Sequence, residues 1–103
     1  MLWDKTKYAI QLRRGRGECK TSPMHGLIQQ IVVTPKNPLT VWSMDILDGD
    51  LDMIYTRQDW EGRLDDKDGL PVGRDKPECL SVRIYDATEN DKFEVVFKLK
   101  EVR

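Results

Sequence analysis

The feature that most constrains this chain is a run of alternating apolar and polar residues at positions 39–57, LTVWSMDILDGDLDMIYTR. In its first half Trp42, Met44 and Ile46 fall on one face, because successive side chains of a β-strand point to opposite sides. A tight turn is predicted at Asp48-Gly49, since glycine tolerates the positive φ of such turns. In the second half, the residues predicted to share the buried face are Leu51, Met53 and Tyr55. The run therefore predicts a β-hairpin with one buried face.

The same period of two recurs along the chain, and no segment shows a convincing helical period of 3.6 residues. It predicts strands at residues 7–13, 27–34, 78–85 and 93–102. The residues predicted to point inward in three of them are Tyr8, Ile10, Leu12, Leu80, Val82, Ile84, Phe93, Val95, Phe97 and Leu99. Six or seven short strands separated by turns indicate an all-β protein, a single antiparallel β-sandwich of immunoglobulin-like size. A length of 103 residues fits one domain spanning residues 1–103.

Two segments lack this alternation. Residues 14–26 (RGRGECKTSPMHG) contain three glycines and a proline, which favours a long flexible connection, so that residues 1–26 form partly an extended basic arm and loop. Residues 58–77 are also rich in glycine and proline and predict a short strand or irregular edge followed by a loop. An arginine-rich stretch spans the start of the first segment and comprises Arg13, Arg14 and Arg16. We predict that these residues bind a partner, since the guanidinium fork suits carboxylates and phosphates.

Charge is unevenly distributed, although the formal net charge is only −1. Residues 1–36 carry seven Lys/Arg against two Asp/Glu, residues 37–70 carry three against nine, and residues 71–103 carry seven of each. The acidic block argues against a nucleic-acid binder. If the two blocks also separate in space, partners or copies could meet charge to charge.

The longest apolar run has three residues, which excludes a transmembrane helix, and no apolar stretch of signal-peptide length precedes residue 20, so export by that route is not expected.

The acidic turn resembles part of a calcium-binding loop, because Asp48, Asp50 and Asp52 reproduce its first three ligand positions. Met53, however, stands where that loop requires glycine, and no helices flank it. A solvated turn whose charges discourage strand pairing is the simpler interpretation. We therefore predict no metal and no cofactor.

Few other residues suggest chemistry. His25 is the only histidine, and no motif places a nucleophile beside it, so no catalytic triad is indicated and the chain is predicted not to be an enzyme. Cys19 and Cys79 are interpreted as two free thiols, with a disulfide as the alternative. Among the aromatic residues, Trp42 and Tyr55 are assigned to the core. The other two tryptophans, Trp3 and Trp60, are predicted to bind a partner.

Residues 28–103 resemble small all-β virion proteins of tailed bacteriophages, particularly the decoration or cement proteins that clip onto a capsid shell. The resemblance lies in a D-G-D hairpin followed by a tyrosine strand, a G-L-P-V-G loop, and a final pair of strands around D-A-T-E-N-D. It implies a non-enzymatic protein on the capsid surface, made in the host cytoplasm, that binds the major capsid protein as a homo-oligomer and has no membrane partner. The alternative is a carbohydrate-binding or adhesion module of a phage tail or fibre.

Overall fold

Two antiparallel β-sheets pack face to face in the computed structural model, which describes residues 3–101 and the side chains of residues 5–100. The strands are β1 Trp3–Gln11, β2 Gly17–Lys20, β3 Gly26–Pro35, β4 Val41–Leu47, β5 Met53–Glu61, β6 Leu64–Asp66, β7 Leu70–Val72, β8 Ser81–Tyr85 and β9 Lys92–Glu101. The first sheet has the order β1-β9-β3-β6, with β7 also paired to β3; the second has the order β2-β8-β4-β5. The predicted all-β sandwich is confirmed. No helix capable of crossing a membrane occurs among the described residues.

The core lies between the sheets and is built from the alternating apolar positions. Trp42, Met44 and Ile46 are fully buried, as predicted. The Trp42 ring packs edge-on against Phe93, with ring centroids 5.3 Å apart, and its indole N–H donates to the carbonyl of Gly62 at 2.9 Å. The other predicted inward residues that are buried are Ile10, Leu12, Leu80, Val82, Ile84, Phe93, Val95, Phe97 and Leu99. Tyr8 is half-buried and packs against this core.

The turn of the central hairpin differs from the prediction. It spans residues 48–52 rather than two residues, with Leu47 opposite Met53, and the positive φ falls on Leu51 (66°) instead of Gly49. A register shift between Ile46 and Leu47 changes the phase of β5. Leu51 and Met53 are therefore exposed rather than buried, and the prediction that they point into the core is wrong.

The predicted flexible connection at residues 14–26 is also wrong in part, because it contains β2. Arg14 and Gly15 both have positive φ (55° and 76°), the geometry of a tight two-residue turn, and Arg13 and Arg16 exchange backbone hydrogen bonds of 2.8 and 3.2 Å across it. The amide of Gly15 donates to Asn90 Oδ1 at 2.8 Å, which ties the turn to the loop before β9. This turn carries the chain from the first sheet to the second.

Residues 58–77 contain more regular structure than predicted. β5 extends to Glu61, and the two three-residue strands β6 and β7 line up along the same side of β3. β7 lies within the predicted loop and includes Pro71, which is compatible with a strand because β7 lies at the edge of its sheet. The described part of the chain thus has nine strands instead of six or seven, the additional ones being short.

Candidate interaction surfaces

The strand order gives the sandwich two opposite sides. β1 and β2 are edge strands of their sheets, lie against each other and are joined by the Arg14-Gly15 turn. On the other side, the edge strand β5 faces β6, to which its side chains are hydrogen-bonded. The two sides of the second sheet are three strand spacings apart, which is about 14 Å.

The side formed by β1, the arginine turn and β2 is positively charged, and we call it the basic edge. Between residues 5 and 20 it carries six cations and one anion. The anion, Glu18, accepts a hydrogen bond from Arg83 Nε at 3.1 Å, and Lys7 forms an ion pair of 3.2 Å with Glu94. The remaining cations of the basic edge are Lys5, Arg13, Arg14, Arg16 and Lys20.

The opposite side is negatively charged, and we call it the acidic edge. It comprises the turn at residues 48–52, β5, β6 and the start of the following loop. Between residues 48 and 68 it carries eight acidic side chains and three cations. The acidic residues are Asp48, Asp50, Asp52, Asp59, Glu61, Asp65, Asp66 and Asp68. The two charge blocks seen in the sequence are therefore separated in space as well.

A cleft of about 420 Å³ opens on the acidic edge between β5 and the β6–β7 segment. Its apolar lining includes Ile28, Ile54 and Leu70. Across it, Asp66 Oδ2 accepts hydrogen bonds from the hydroxyl of Tyr55 at 2.7 Å and from Arg57 Nη2 at 2.5 Å. These bonds connect the edges of the two sheets.

The charges in this cleft are stabilised by their neighbours. Burial alone would raise the pKa of Asp66, but hydrogen bonds from the Asp68 amide and the Tyr55 hydroxyl, together with the Arg57 charge, outweigh it and lower that pKa. Burial and the bond to Asp66 raise the pKa of Tyr55 well above its usual range. The Arg57 guanidinium also lies over the Tyr55 ring, 4.6 Å from its centroid. This arrangement is that of a structural tie between the sheets.

Exposed apolar side chains lie at both ends of β5 on the acidic edge. Leu51 is 64% exposed, Met53 58% and Trp60 37%, and all three lie in β5 or in the turn that precedes it. Isolated exposed apolar residues are ordinary, but three along one edge strand add apolar surface that a neighbour lying along this edge would cover. Sequence reasoning missed Leu51 and Met53 because their alternation assigned them to the core.

The outer face of the first sheet forms a third surface, which we call the lysine face. Val32 and Val96 lie opposite each other at its centre and are half-buried, while Lys5 and Lys98 are paired directly across β1 and β9. Its lysines are Lys5, Lys7, Lys92, Lys98 and Lys100, and Glu94, which forms the ion pair with Lys7, lies on the same face. The alternation of lysine along β9 was a signal for this face in the sequence, and it was not used in predicting partner-binding residues.

The predicted partner-binding residues do not form one site. Arg13, Arg14 and Arg16 share the tight turn, are exposed, and make no ion pair within the described part of the chain. Trp60 lies on the opposite edge, where its indole N–H donates to the carbonyl of Arg63 at 3.0 Å. The backbone of Trp3 belongs to β1, but its side chain lies outside the described residues.

The other candidate residues have structural partners. Asp48 Oδ1 accepts hydrogen bonds from the amides of Asp50 and Asp52, both at 2.9 Å. The ring Nδ1 of His25 is hydrogen-bonded to the carbonyl of Gly73. Cys19 and Cys79 are free thiols, and burial together with the Glu18 charge raises the pKa of Cys19 to about 11. At neutral pH that thiol is protonated and a poor nucleophile.

Comparison with known proteins gives no family assignment, since no protein-family model and no curated protein matches the chain.

Proposed function

We propose that this chain is a structural accessory protein of a bacteriophage virion, a decoration protein that binds and stabilises the lattice of the major capsid protein. The observation that carries the proposal is the lysine face. A sheet face with valines at its centre and lysines around them is suited to an extended acidic protein surface. The resemblance of residues 28–103 to capsid decoration proteins supports the same partner.

The charge pattern of the lysine face also supports an external partner. Lys5 and Lys98 occupy directly opposite positions, which places two cations side by side on this face. Carboxylates of a shell protein would form charge-assisted contacts with such cations. Such contacts increase the rate and orientation of encounter more than the final affinity.

A non-enzymatic role is part of the proposal. The charged groups of the cleft bond to one another, as Tyr55, Arg57 and Asp66 do. The raised pKa of Cys19 makes that thiol a weak nucleophile at neutral pH. In the part of the chain that the structure describes, these contacts are consistent with stabilising the sandwich, and none of these groups has the arrangement of a general acid, base or nucleophile.

The test is a titration of the purified chain against empty capsid shells of the bacteriophage whose genome carries the sequence, with a glycan panel in parallel. We expect saturable shell binding that weakens as salt is added. The variant Lys92→Gln, Lys98→Gln, Lys100→Gln should bind shells about tenfold more weakly, a loss of ~1.4 kcal/mol. The matched control Arg74→Gln, Lys76→Gln, Arg83→Gln removes the same charge outside the first sheet, since Arg83 lies on β8 of the second sheet and the other two in the loop before it, and it should bind like the natural chain. Glycan binding without shell binding, or equal losses in the two variants, would reject the proposal.

A further inference from the structure

The basic and acidic edges each end in a strand with an unpaired side. β1 is paired only to β9, and β5 only to β4, within the described residues. Both strands are nine residues long. Backbone N–H and C=O groups along such a side can accept another strand, which is how exposed edges recruit partners.

The charges on these strands restrict which edges can meet. Contact between two basic edges would oppose Lys5 and the turn arginines of both copies. Contact between two acidic edges would oppose Asp52, Glu61 and their neighbours. Only contact between unlike edges brings opposite charges together. The charges therefore disfavour symmetric pairing and favour one orientation.

The apolar side chains of β5 add a favourable term to the same contact. Leu51, Met53 and Trp60 are three of the four exposed large hydrophobic residues in the described part of the chain. A neighbour on this edge would remove them from water, and burial of apolar surface stabilises association. The occupant of the edge must then be cationic and able to lie along a strand, and the basic edge of another copy has both properties.

From these observations we propose that copies of this chain associate head to tail, with the basic edge of one copy against the acidic edge of the next. Because the two contacting surfaces differ, each added copy presents a free edge, and the association continues as a row or closes as a ring. The contact uses the edge strands, so the β9 lysines of the lysine face, Lys92, Lys98 and Lys100, lie one strand behind it.

The test is sedimentation velocity of the full chain over a concentration series at low and high salt. The natural chain should associate with increasing concentration. Salt should weaken this association, since the charges that orient it lie at the surface and are screened by salt. A basic-edge variant, Lys5→Glu, Arg13→Glu, Arg16→Glu, has two anionic edges. An acidic-edge variant, Asp52→Lys, Glu61→Lys, Asp68→Lys, has two cationic edges. Each variant alone should remain monomeric at concentrations where the natural chain associates.

Mixing the two variants in equal amounts is the decisive step, because opposite edges are then available again. Association should return in the mixture and should again weaken with salt. A natural chain that stays monomeric, a single variant that associates as strongly as the natural chain, or a mixture that stays monomeric would each overturn the proposal. Circular dichroism and thermal unfolding establish that both variants are folded. If a charge-reversed variant fails to fold, neutral Gln or Asn residues replace the charged residues at the same positions. These neutral variants should associate more weakly than the natural chain without losing association completely. Unchanged association would overturn the proposal.

This inference can fail independently of the capsid-binding role. The lysine-face variant Lys92→Gln, Lys98→Gln, Lys100→Gln changes neither edge and should associate with itself as the natural chain does. Loss of shell binding in that variant with retained self-association would support both proposals.

Discussion

Gly73 directly follows β7 and has a backbone conformation that other residues adopt only with strain. Its φ is +61°, and a Cβ built there would collide with the carbonyl oxygen of Met24 and lie 2.9 Å from that of Lys76. Met24 cannot move aside easily, because it exchanges backbone hydrogen bonds of 2.8 and 3.0 Å with Glu78. The glycine is therefore required by both backbone conformation and space.

Gly73→Ala should destabilise the protein by about 3 kcal/mol or more, since it combines a left-handed backbone with a backbone clash. Gly69→Ala is the matched control, because Gly69 has φ +90° but its added Cβ would meet only Leu27, at 3.6 Å. The control should lose about 1–2 kcal/mol. Urea unfolding measures both, and equal losses would show that the clash at Gly73 is relieved by local movement.

Asp91 is a buried acid whose charge is held by hydrogen bonds. Its carboxylate accepts bonds from the amide of Asn37 and the hydroxyl of Thr40, both at 2.9 Å, and from the amide of Lys92 at 2.7 Å. Burial alone would raise the pKa of Asp91, but these bonds outweigh it and lower that pKa. The pKa of Asp91 is therefore lower in the folded state than in the unfolded state. At a pH above the unfolded-state pKa, Asp91 makes its full contribution to stability. This contribution is lost as the pH falls through the folded-state pKa.

Asp91→Asn should lower the unfolding free energy at pH 7 by about 1–3 kcal/mol, because a charged acceptor is replaced by a neutral one. It should also reduce the loss of stability on acidification, leaving the parts that Asp65 and Asp66 contribute through their own lowered pKa values. Urea unfolding from neutral to acidic pH gives both quantities. Asp75→Asn, at an exposed loop position, is the control and should follow the natural chain; a pH dependence in Asp91→Asn identical to that of the natural chain would contradict the assignment.

Alternating apolar positions predicted the buried faces of β4 and β9 correctly, although the same signal misassigned Leu51 and Met53 in the second arm of the hairpin. Trp42, Met44 and Ile46 in β4, or Phe93 and Phe97 in β9, leave one choice for the buried face. β2 contributes only Cys19 between Glu18 and Lys20, and β6 and β7 have three residues each, so no period is visible in them. Their pairing is decided by longer strands that they lie beside, which local sequence does not specify.

The acidic turn was misread for a related reason. Its conformation depends on the Asp48 carboxylate, which accepts the amides of Asp50 and Asp52 and lengthens the turn beyond Asp48-Gly49. The register shift that follows exposes Met53. Sequence alternation predicted the hairpin and its first arm, while side-chain capping of the turn determined the phase of the second arm. The positions of the acidic and basic edges likewise depend on strand order.

Because the Asp48 carboxylate already accepts two amides, we predict that the turn requires no calcium. Thermal unfolding in excess calcium and in chelator should give the same midpoint. A calcium-dependent increase of several degrees, which corresponds to roughly 1 kcal/mol for a domain of this size, would contradict the prediction. Asp48→Ala should lower stability by about 1 kcal/mol in both conditions, because it removes the cap from the turn. Such a calcium effect, if present in the natural chain and absent in this variant, would identify Asp48 as a ligand.

At the scale of the whole molecule, the first and last described strands pair with each other. β1 and β9 are in register from Trp3 opposite Lys100 to Gln11 opposite Lys92. The central strand β3 also pairs with β9, so the first sheet is incomplete until residues 92–101 are in place. Contacts between such distant segments carry a high loop-closure cost and slow folding.

A circular permutant should therefore refold faster than the natural chain. A Gly/Ser linker would join residue 103 to residue 1, and new ends would lie between the exposed Asp75 and Lys76. β9 and β1 would then be neighbours in sequence, so their pairing would close a short loop instead of one spanning most of the chain. The sandwich should keep its circular dichroism spectrum, since the cut lies outside every strand.

Stopped-flow refolding and unfolding in urea would measure the rates, with the natural chain carrying the same linker as a tail for control. An unchanged refolding rate would mean that β1 and β9 pair only after the rate-limiting step, which would place the folding nucleus in the second sheet and the β3 region.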